Sequence, residues 1–310
     1  MVAGSPDRAA VTHRFVNVVS PSAPGEPRGL ELAYHVWESE AGEHAPTVVL
    51  LHGFLDHGRS FDPVARHLAR RFRVVAPDHR GHGESGRVGQ GGYYHFPDYV
   101  LDLHRLLDHL GVGQVLLAGH SMGASIACYF TGAWPEKILA LALLDGIGPP
   151  AVPIDRGPAL MRRWVNDLKL ATERDEPLQA PMATLDEVAR RIARTSPGAS
   201  AERLLELART ASVAVDGGYA FRFDPLHRTT APMPFDVHRF RAFLQAIRAP
   251  TLVIWGERSP MRPPDVEERL TLIADLTRFV LPGAAHNLHH ERPTELAAVL
   301  DGFFARAVTP

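Results

Sequence analysis

The sequence predicts an α/β protein: a doubly wound, mostly parallel sheet with a block of helices inserted late in it. Two observations lead there. Short continuous apolar runs alternate with amphipathic helical stretches from residue 47 to about 148, the signature of strands joined by crossover helices. Residues 149 to 235 then hold helical stretches but no convincing parallel strand, after which the alternation returns.

The elements follow in order. The opening residues are loop-like until HRFVNVV, a strand; PSAPGEPRG is a turn rich in Pro and Gly; LELAYHVWE alternates and makes a second strand, pairing with the first as a hairpin. TVVLL (47–51) is apolar throughout, which suits a strand covered on both faces. FDPVARHLARR is a helix, FRVVAP a buried strand, and DHRGHGES a loop. From Tyr99 to Leu110 the apolar positions Val100, Leu103, Leu106, Leu107 and Leu110 form one helical stripe. QVLLAG is a strand, SMGASIACYFTGA a helix and KILALALLD a strand. The inserted block contains PALMRRWVNDLKL, TLDEVARRIAR and AERLLELARTA, all helical. A helix in DVHRFRAFLQAI, the strand TLVIW, a helix in PDVEERLTLIA, the strand TRFVL and a final helix from Pro293 to about Ala305 complete the chain. The expected organisation is a core of residues 1–148 and 236–310, with 149–235 as a helical cap over the carboxyl edge of the sheet. That edge is where open α/β sheets bind ligands.

Composition narrows the function. The 310 residues are 45% apolar and 22% charged, ordinary for a soluble globular protein. A net charge of −2 gives no basic footprint for nucleic acid or an anionic membrane. The single Cys128 excludes an internal disulfide framework and fits a reducing compartment. MVAGSPDRAA lacks the apolar stretch of a secretory signal, and no apolar run approaches the roughly 20 residues of a membrane span. A cytoplasmic protein, monomeric or homodimeric, is the expectation.

The chemistry is carried by LLAGHSMGASIA, a strand, then G-x-S-x-G, then a helix. A serine on so tight a turn projects its oxygen above the sheet. Gly119 and Gly123 leave out the side chains that would collide there, and Ala124 and Ala127 let the helix lie close. Ser121 is the expected nucleophile. The helix N-terminus aims amides at a developing oxyanion, so the Met122 amide is one expected donor. LLHGF ends an earlier strand and supplies the other, the Phe54 amide. His52 is expected to fix that loop. His120 adjoins the serine, and adjacent side chains diverge, so it is not the expected base. FVLPGAAHNLHHERP follows the last strand and puts His286 in a loop at the carboxyl edge, the expected base. His286 and His290 share an i, i+4 spacing, but no HExxH or acidic third ligand accompanies them, so no metal is expected. His289 and His290 are expected as polar residues at a helix start.

HGF, DHRGHGES, GHSMG and GAAHNLHHERP, in this order and spacing, resemble the α/β-hydrolase superfamily over about Val48 to Phe304, outside the cap. HGFLDHGRSFDPVARHL, GHSMG, LLD and VDGGYAFRFDP look most like the serine hydrolase-like proteins. The resemblance implies an eight-stranded sheet, the α/β-hydrolase fold, and a triad in the chain order Ser, acid, His. Its acid often follows the penultimate strand in a GxxD-type turn. Here that turn is GERSP, and neutral Ser259 cannot stabilise an imidazolium. Asp145, at the end of the strand after the nucleophile's helix, is the preferred replacement, although Asp-Gly is also a turn signal. Glu257 and then Asp265, which is also placed to cap a helix, remain alternatives.

The expected activity is cofactor-free cleavage of a carboxylic ester or related acyl bond in a small molecule, through Ser121, His286 and Asp145. Carbon–carbon hydrolysis or perhydrolysis would use the same three residues. A non-catalytic ligand-binding protein on the same fold is the alternative from another class. Leu55, Ile147, Trp164 and Met233 are expected pocket walls. Asp78, Arg80 and Ser85 are expected to fix the DHRGHGES loop, and Cys128 to fill core.

Overall fold

The computed structural model describes residues 11–18, 29–89, 91–172 and 179–309. The chain's first ten residues and PSAPGEPRG, save Gly29, lie outside the described residues. β1 (Val11–Asn17) and β2 (Glu31–Trp37) pair antiparallel, with Val11 opposite Trp37. β3 (Thr47–Leu51), β4 (Arg73–Pro77), β5 (Val115–His120), β6 (Ile138–Leu144), β9 (Thr251–Gly256) and β10 (Leu276–Leu281) follow in parallel. The sheet has eight strands in the order β1-β2-β4-β3-β5-β6-β9-β10, and β2 meets β4 antiparallel.

Side chains alternate across this sheet because the strand period is two. Val49, Leu51, Leu117, Leu141, Leu143, Val253 and Trp255 face one side. There they meet α2 (Phe96–Leu110) through Leu103, Leu106 and Leu107, α3 (Met122–Ala133) through Ile126, Ala127 and Phe130, and α7 (Val237–Ala246) through Phe240 and Leu244. Val48, Leu50, Leu116, Ala118, Ala140, Ala142, Leu144, Leu252 and Ile254 face the other, against α1 (Asp62–Leu68) and α10 (Pro293–Val308). Continuous burial on both faces explains why these strands carry no polar alternation. Gly111 ends α2 in the left-handed region at φ 66° and donates its amide to the Asp108 carbonyl, a conformation glycine adopts without strain.

Between β6 and β9 lie α4 (Gly157–Thr172), α5 (Leu185–Ala193) and α6 (Ala201–Ala211). Thr184 and Ser200 cap α5 and α6 by accepting from the Glu187 and Arg203 amides. The same segment also contains an antiparallel hairpin that the sequence reading lacks: β7 (Ser212–Val215) and β8 (Gly218–Phe221), closed by Asp216 and Gly217. The stretch PDVEERLTLIA is helical only as α8 (Val266–Leu270). Thr271 is its C-cap, and Leu270 and Ile273 are both buried. A short helix, α9 (Leu288–Glu291), precedes α10. Polar contacts tie the insertion to loops of the core: Arg203 Nη2 donates to the Ser60 carbonyl, Tyr94 Oη donates to Asp224 at 2.7 Å, and His57 Nε2 lies 2.8 Å from Thr210 Oγ1. No helix among the described residues is long and apolar enough to cross a membrane.

Candidate active site

β5 runs into Ser121 and α3 leaves it, so the serine occupies the bend, at φ 52° and ψ −110°. Among the described residues only Leu55, Ser121 and Asp145 combine a side chain with positive φ. Such backbone costs on the order of 1–3 kcal/mol per residue and persists only where the surroundings over-determine it. Packing enforces the bend. A Cβ on Gly119 would lie 2.3 Å from the Gly123 carbonyl oxygen, and one on Gly123 would lie 2.3 Å from that of Leu51. The absent side chains therefore let α3 and the end of β3 close on the serine.

His286, in the loop after β10, brings the three expected side chains into one line. Its Nε2 is 3.1 Å from Ser121 Oγ and its Nδ1 is 2.6 Å from Asp145 Oδ2. A carboxylate can only accept, so Nδ1 carries the hydrogen and Nε2 presents its lone pair to the serine hydroxyl. Asp145 is 1% exposed, at the end of β6. Its Oδ1 accepts from the Gly256 amide at 2.9 Å, and its Oδ2 also accepts from Ser259 Oγ at 2.5 Å. The other two acids go elsewhere. Glu257 accepts from the Gly283 amide at 2.8 Å. Asp265 stands at the N-cap of α8 but makes no side-chain cap bond, and pairs instead with Arg269 and Arg241. The His286 loop is anchored by its own carbonyl, 2.9 Å from His120 Nε2, and by Glu291, which accepts from the Ala285 amide.

The loop after β3 faces this line. A Cβ on Gly53 would lie 3.4 Å from Ser121 Cβ, so the Gly53–Phe54 backbone packs beside Ser121. Met122 begins α3, where helical geometry leaves amides unpaired. Histidines hold the loop in this position. His82 Nε2 accepts from the Leu55 amide at 3.2 Å while its Nδ1 donates to the Arg80 carbonyl. His52 Nε2 accepts from the His79 amide at 2.9 Å while its Nδ1 donates to the Gly53 carbonyl. Each ring must keep one bare nitrogen to do this. Burial supplies the neutral state, driving the His82 imidazole well below its ordinary range and lowering that of His52. His52 was expected here; His82 was not, though DHRGHGES placed it in the loop that β4 delivers to the same edge.

Asp78, Arg80 and Ser85 bind loop backbone and one another's neighbours. Asp78 accepts from the Gly58 and Glu84 amides at 2.6 and 2.8 Å, Arg80 forks onto Asp102, and Ser85 donates to the Asp78 carbonyl. The pocket-wall expectations fare unevenly. Leu55 lies on the braced loop at φ 60°. Ile147 is a correction: it is fully buried, because its side chain packs in the apolar core that holds α3 and α7 against the sheet. Trp164 packs edge-on against Tyr93, with centroids 5.5 Å apart, and Met233 is 68% exposed. Cys128 is buried, and burial pushes its thiol far up.

His289 and His290 stand in the first turn of the short helix α9, as expected of polar residues at a helix start. Both are buried, and they face Asp56 and Ser196 respectively, His289 Nε2 lying 2.9 Å from Asp56 Oδ2 and His290 Nδ1 2.9 Å from Ser196 Oγ. His286 and His290 therefore serve different partners. Asp56, His120 and His289 each offer an atom with metal-ligating capacity within 4.8 Å of the others. Asp56 already accepts from His289 and Ser60, while His120 Nδ1 is buried without a hydrogen-bond partner among the described residues. The group reaches the His286 loop through the hydrogen bond of His120 Nε2 to the His286 carbonyl.

The fold has counterparts among known proteins. The family model for the alpha/beta hydrolase fold matches residues 46–203. A serine hydrolase-like protein of Danio rerio is 26% identical over 283 residues, 88% of this chain and 85% of that protein. The 2-(acetamidomethylene)succinate hydrolase of Mesorhizobium japonicum is 26% identical over 253 residues, 80% of this chain and 84% of that protein. The crystal structure of a hypothetical protein from Pseudomonas aeruginosa PAO1 superposes with a TM-score of 0.79 at 30% identity, covering 93% of this chain and 99% of that one. With a strained serine between β5 and α3 and an eight-stranded sheet around it, the chain belongs to the α/β hydrolase fold family, among hydrolase relatives.

Proposed function

We propose that the protein is a serine hydrolase that cleaves a carboxylic ester or a related acyl bond. The observation that supports this most is the unbroken line from Ser121 Oγ through both nitrogens of His286 to Asp145, with spacings of 3.1 and 2.6 Å. Ser121 Oγ attacks the substrate carbonyl carbon as its proton passes to His286 Nε2. The carbonyl oxygen takes the electron pair and is held by the Phe54 and Met122 amides. Asp145 stabilises the imidazolium through Nδ1–H. His286 then gives its proton to the leaving alcohol oxygen as the C–O bond breaks. Water, deprotonated by the same nitrogen, attacks the acyl-enzyme, and the acid leaves as the serine regains its proton. Residues 149–235 act as the cap that selects the substrate. Carbon–carbon hydrolysis and perhydrolysis would need the same three residues, and no distance among them favours either.

The test is hydrolysis of p-nitrophenyl esters of increasing chain length, beside a fluorophosphonate probe and a Ser121→Ala control. The wild-type serine should label and turn over at least one ester, and the variant should do neither. An unlabelled wild-type Ser121 would mean that the serine is not activated, and would favour a non-catalytic binding protein.

A further inference from the structure

Ser259 occupies the turn after β9 and donates its hydroxyl hydrogen to Asp145 Oδ2, the oxygen that also receives His286 Nδ1–H. The direction of that donation is fixed from both sides. The Asp145 carboxylate can only accept, and Ser259 Oγ itself accepts from the Met261 amide at 3.2 Å. The other carboxylate oxygen is held by the Gly256 amide. Both grips come from β9 and its turn, whereas Asp145 belongs to β6 and sits at a strained φ of 47°. Without Ser259 the only donor left on Oδ2 would be the His286 ring that the carboxylate has to orient, and the sheet would hold Asp145 by Oδ1 alone. Gripped at both oxygens, the carboxylate presents Oδ2 to the imidazole in a single orientation.

We infer that Ser259 is a positioning residue for the proposed reaction: its hydroxyl locks the Asp145 carboxylate in the plane that orients His286. This rests on the hydrolase reading above. The neutral residue that cannot replace an acid in the β9 turn instead completes the acid contributed by the neighbouring strand. The group acts through Asp145 and touches neither substrate nor serine. Its loss therefore lowers kcat and leaves KM unchanged, since ground-state binding is untouched. A hydrogen bond to a charged group corresponds to about a 10- to 100-fold effect on rate.

Three variants, Ser259→Ala, Ser259→Thr and Asp145→Asn, test this by steady-state kinetics, by the rate of fluorophosphonate labelling, and by proton NMR of the hydrogen on His286 Nδ1. Ser259→Ala should lose kcat and labelling rate by about 10- to 100-fold at unchanged KM. Its Nδ1–H resonance should move, because Oδ2 now serves one donor instead of two. Ser259→Thr keeps the hydroxyl and should restore kcat and the resonance. Asp145→Asn should erase that resonance. A Ser259→Ala variant with wild-type kcat, labelling rate and resonance overturns the inference. Equal losses in the Ala and Thr variants, accompanied by a lowered melting temperature, also overturn it, by showing a merely structural turn. The NMR readout needs no substrate. If Ser121 fails to label while the resonance still moves in Ser259→Ala, the hydrolase reading falls and the positioning contact stands.

Discussion

His286 Nδ1 lies 2.6 Å from Asp145 Oδ2, so the imidazole is served by a carboxylate from the end of β6. The Glu257 carboxylate, on the neighbouring turn, is bonded to the Gly283 amide instead. Asp145→Asn keeps the shape of the site but turns a donor or a weak acceptor toward Nδ1, favouring the wrong tautomer. Its kcat should fall by about 10⁴-fold. Glu257→Gln should stay within about threefold of wild type, the range of an exposed substitution. Kinetics on a single p-nitrophenyl ester decides it. Collapse in Glu257→Gln with survival of Asp145→Asn would reverse the assignment.

The bend at Ser121 makes a claim on stability as well as on chemistry. A Cβ on Gly123 would meet the Leu51 carbonyl oxygen at 2.3 Å, and backbone cannot step aside as a flexible side chain can. Gly123→Ala should therefore cost about 1–3 kcal/mol by overpacking and push the loop after β3 away from the serine. Gly89→Ala is the control, since a Cβ there meets nothing within 4 Å. Urea denaturation should separate the two variants, and only the first should lose ester hydrolysis.

The Leu55 amide donates to His82 Nε2, and that bond helps hold Leu55 in its left-handed conformation next to Phe54. His82→Phe fills the site with a ring of similar breadth but removes the acceptor. The Phe54 amide should then drift from the oxyanion position. Losing an oxyanion donor outright costs about 10²–10³-fold in kcat, and a displaced one should cost less, about tenfold or more. Stopped-flow or steady-state kcat with KM measured alongside checks this; unchanged kcat would show that the loop holds itself.

Much of this was legible in the sequence, and the exceptions have physical causes. TVVLL, QVLLAG and KILALALL were readable as strands because burial on both faces leaves no polar position to confuse the pattern. β7 and β8 were not, because they are four residues each and, apart from Ser212, only half-buried or exposed, so the Asp216-Gly217 hairpin signal was their only mark. Ser121, His286 and Asp145 could be named because an elbow motif and loop placement constrain where each must lie. Ser259, His82 and His120 act through hydrogen bonds between segments distant in sequence, and no local spacing encodes such partners. Ile147 was misplaced for the opposite reason: an apolar residue beside the site looks the same in sequence whether it lines a pocket or fills the core.

The buried histidines set a pH dependence of stability whose sign can be worked out. Burial pushes the His227 imidazole down to about 4 and that of His289 to about 3, and drives His79, His82 and His120 well below their ordinary range. In the unfolded chain these groups titrate near 6.5. Below that pH the unfolded state binds protons that the folded state refuses, so stability is fully present above about 6.5 and is lost as pH falls toward the folded values. Each such histidine contributes about 1.4 kcal/mol per pH unit within its window. Asp56 does not offset this. Burial raises its carboxyl, but His290, His289 and His57 outweigh burial and hold it well below its usual range. Its contribution is therefore lost only below about 3.8. Denaturant midpoints at pH 7.5, 6.0 and 5.0 should fall steeply across the series. His227→Gln removes one titrating group and should flatten the slope between pH 6.5 and 4 by about 1.4 kcal/mol per unit. A wild-type midpoint that stays level from pH 7.5 to 5.0 would mean that these rings take up protons in the folded protein.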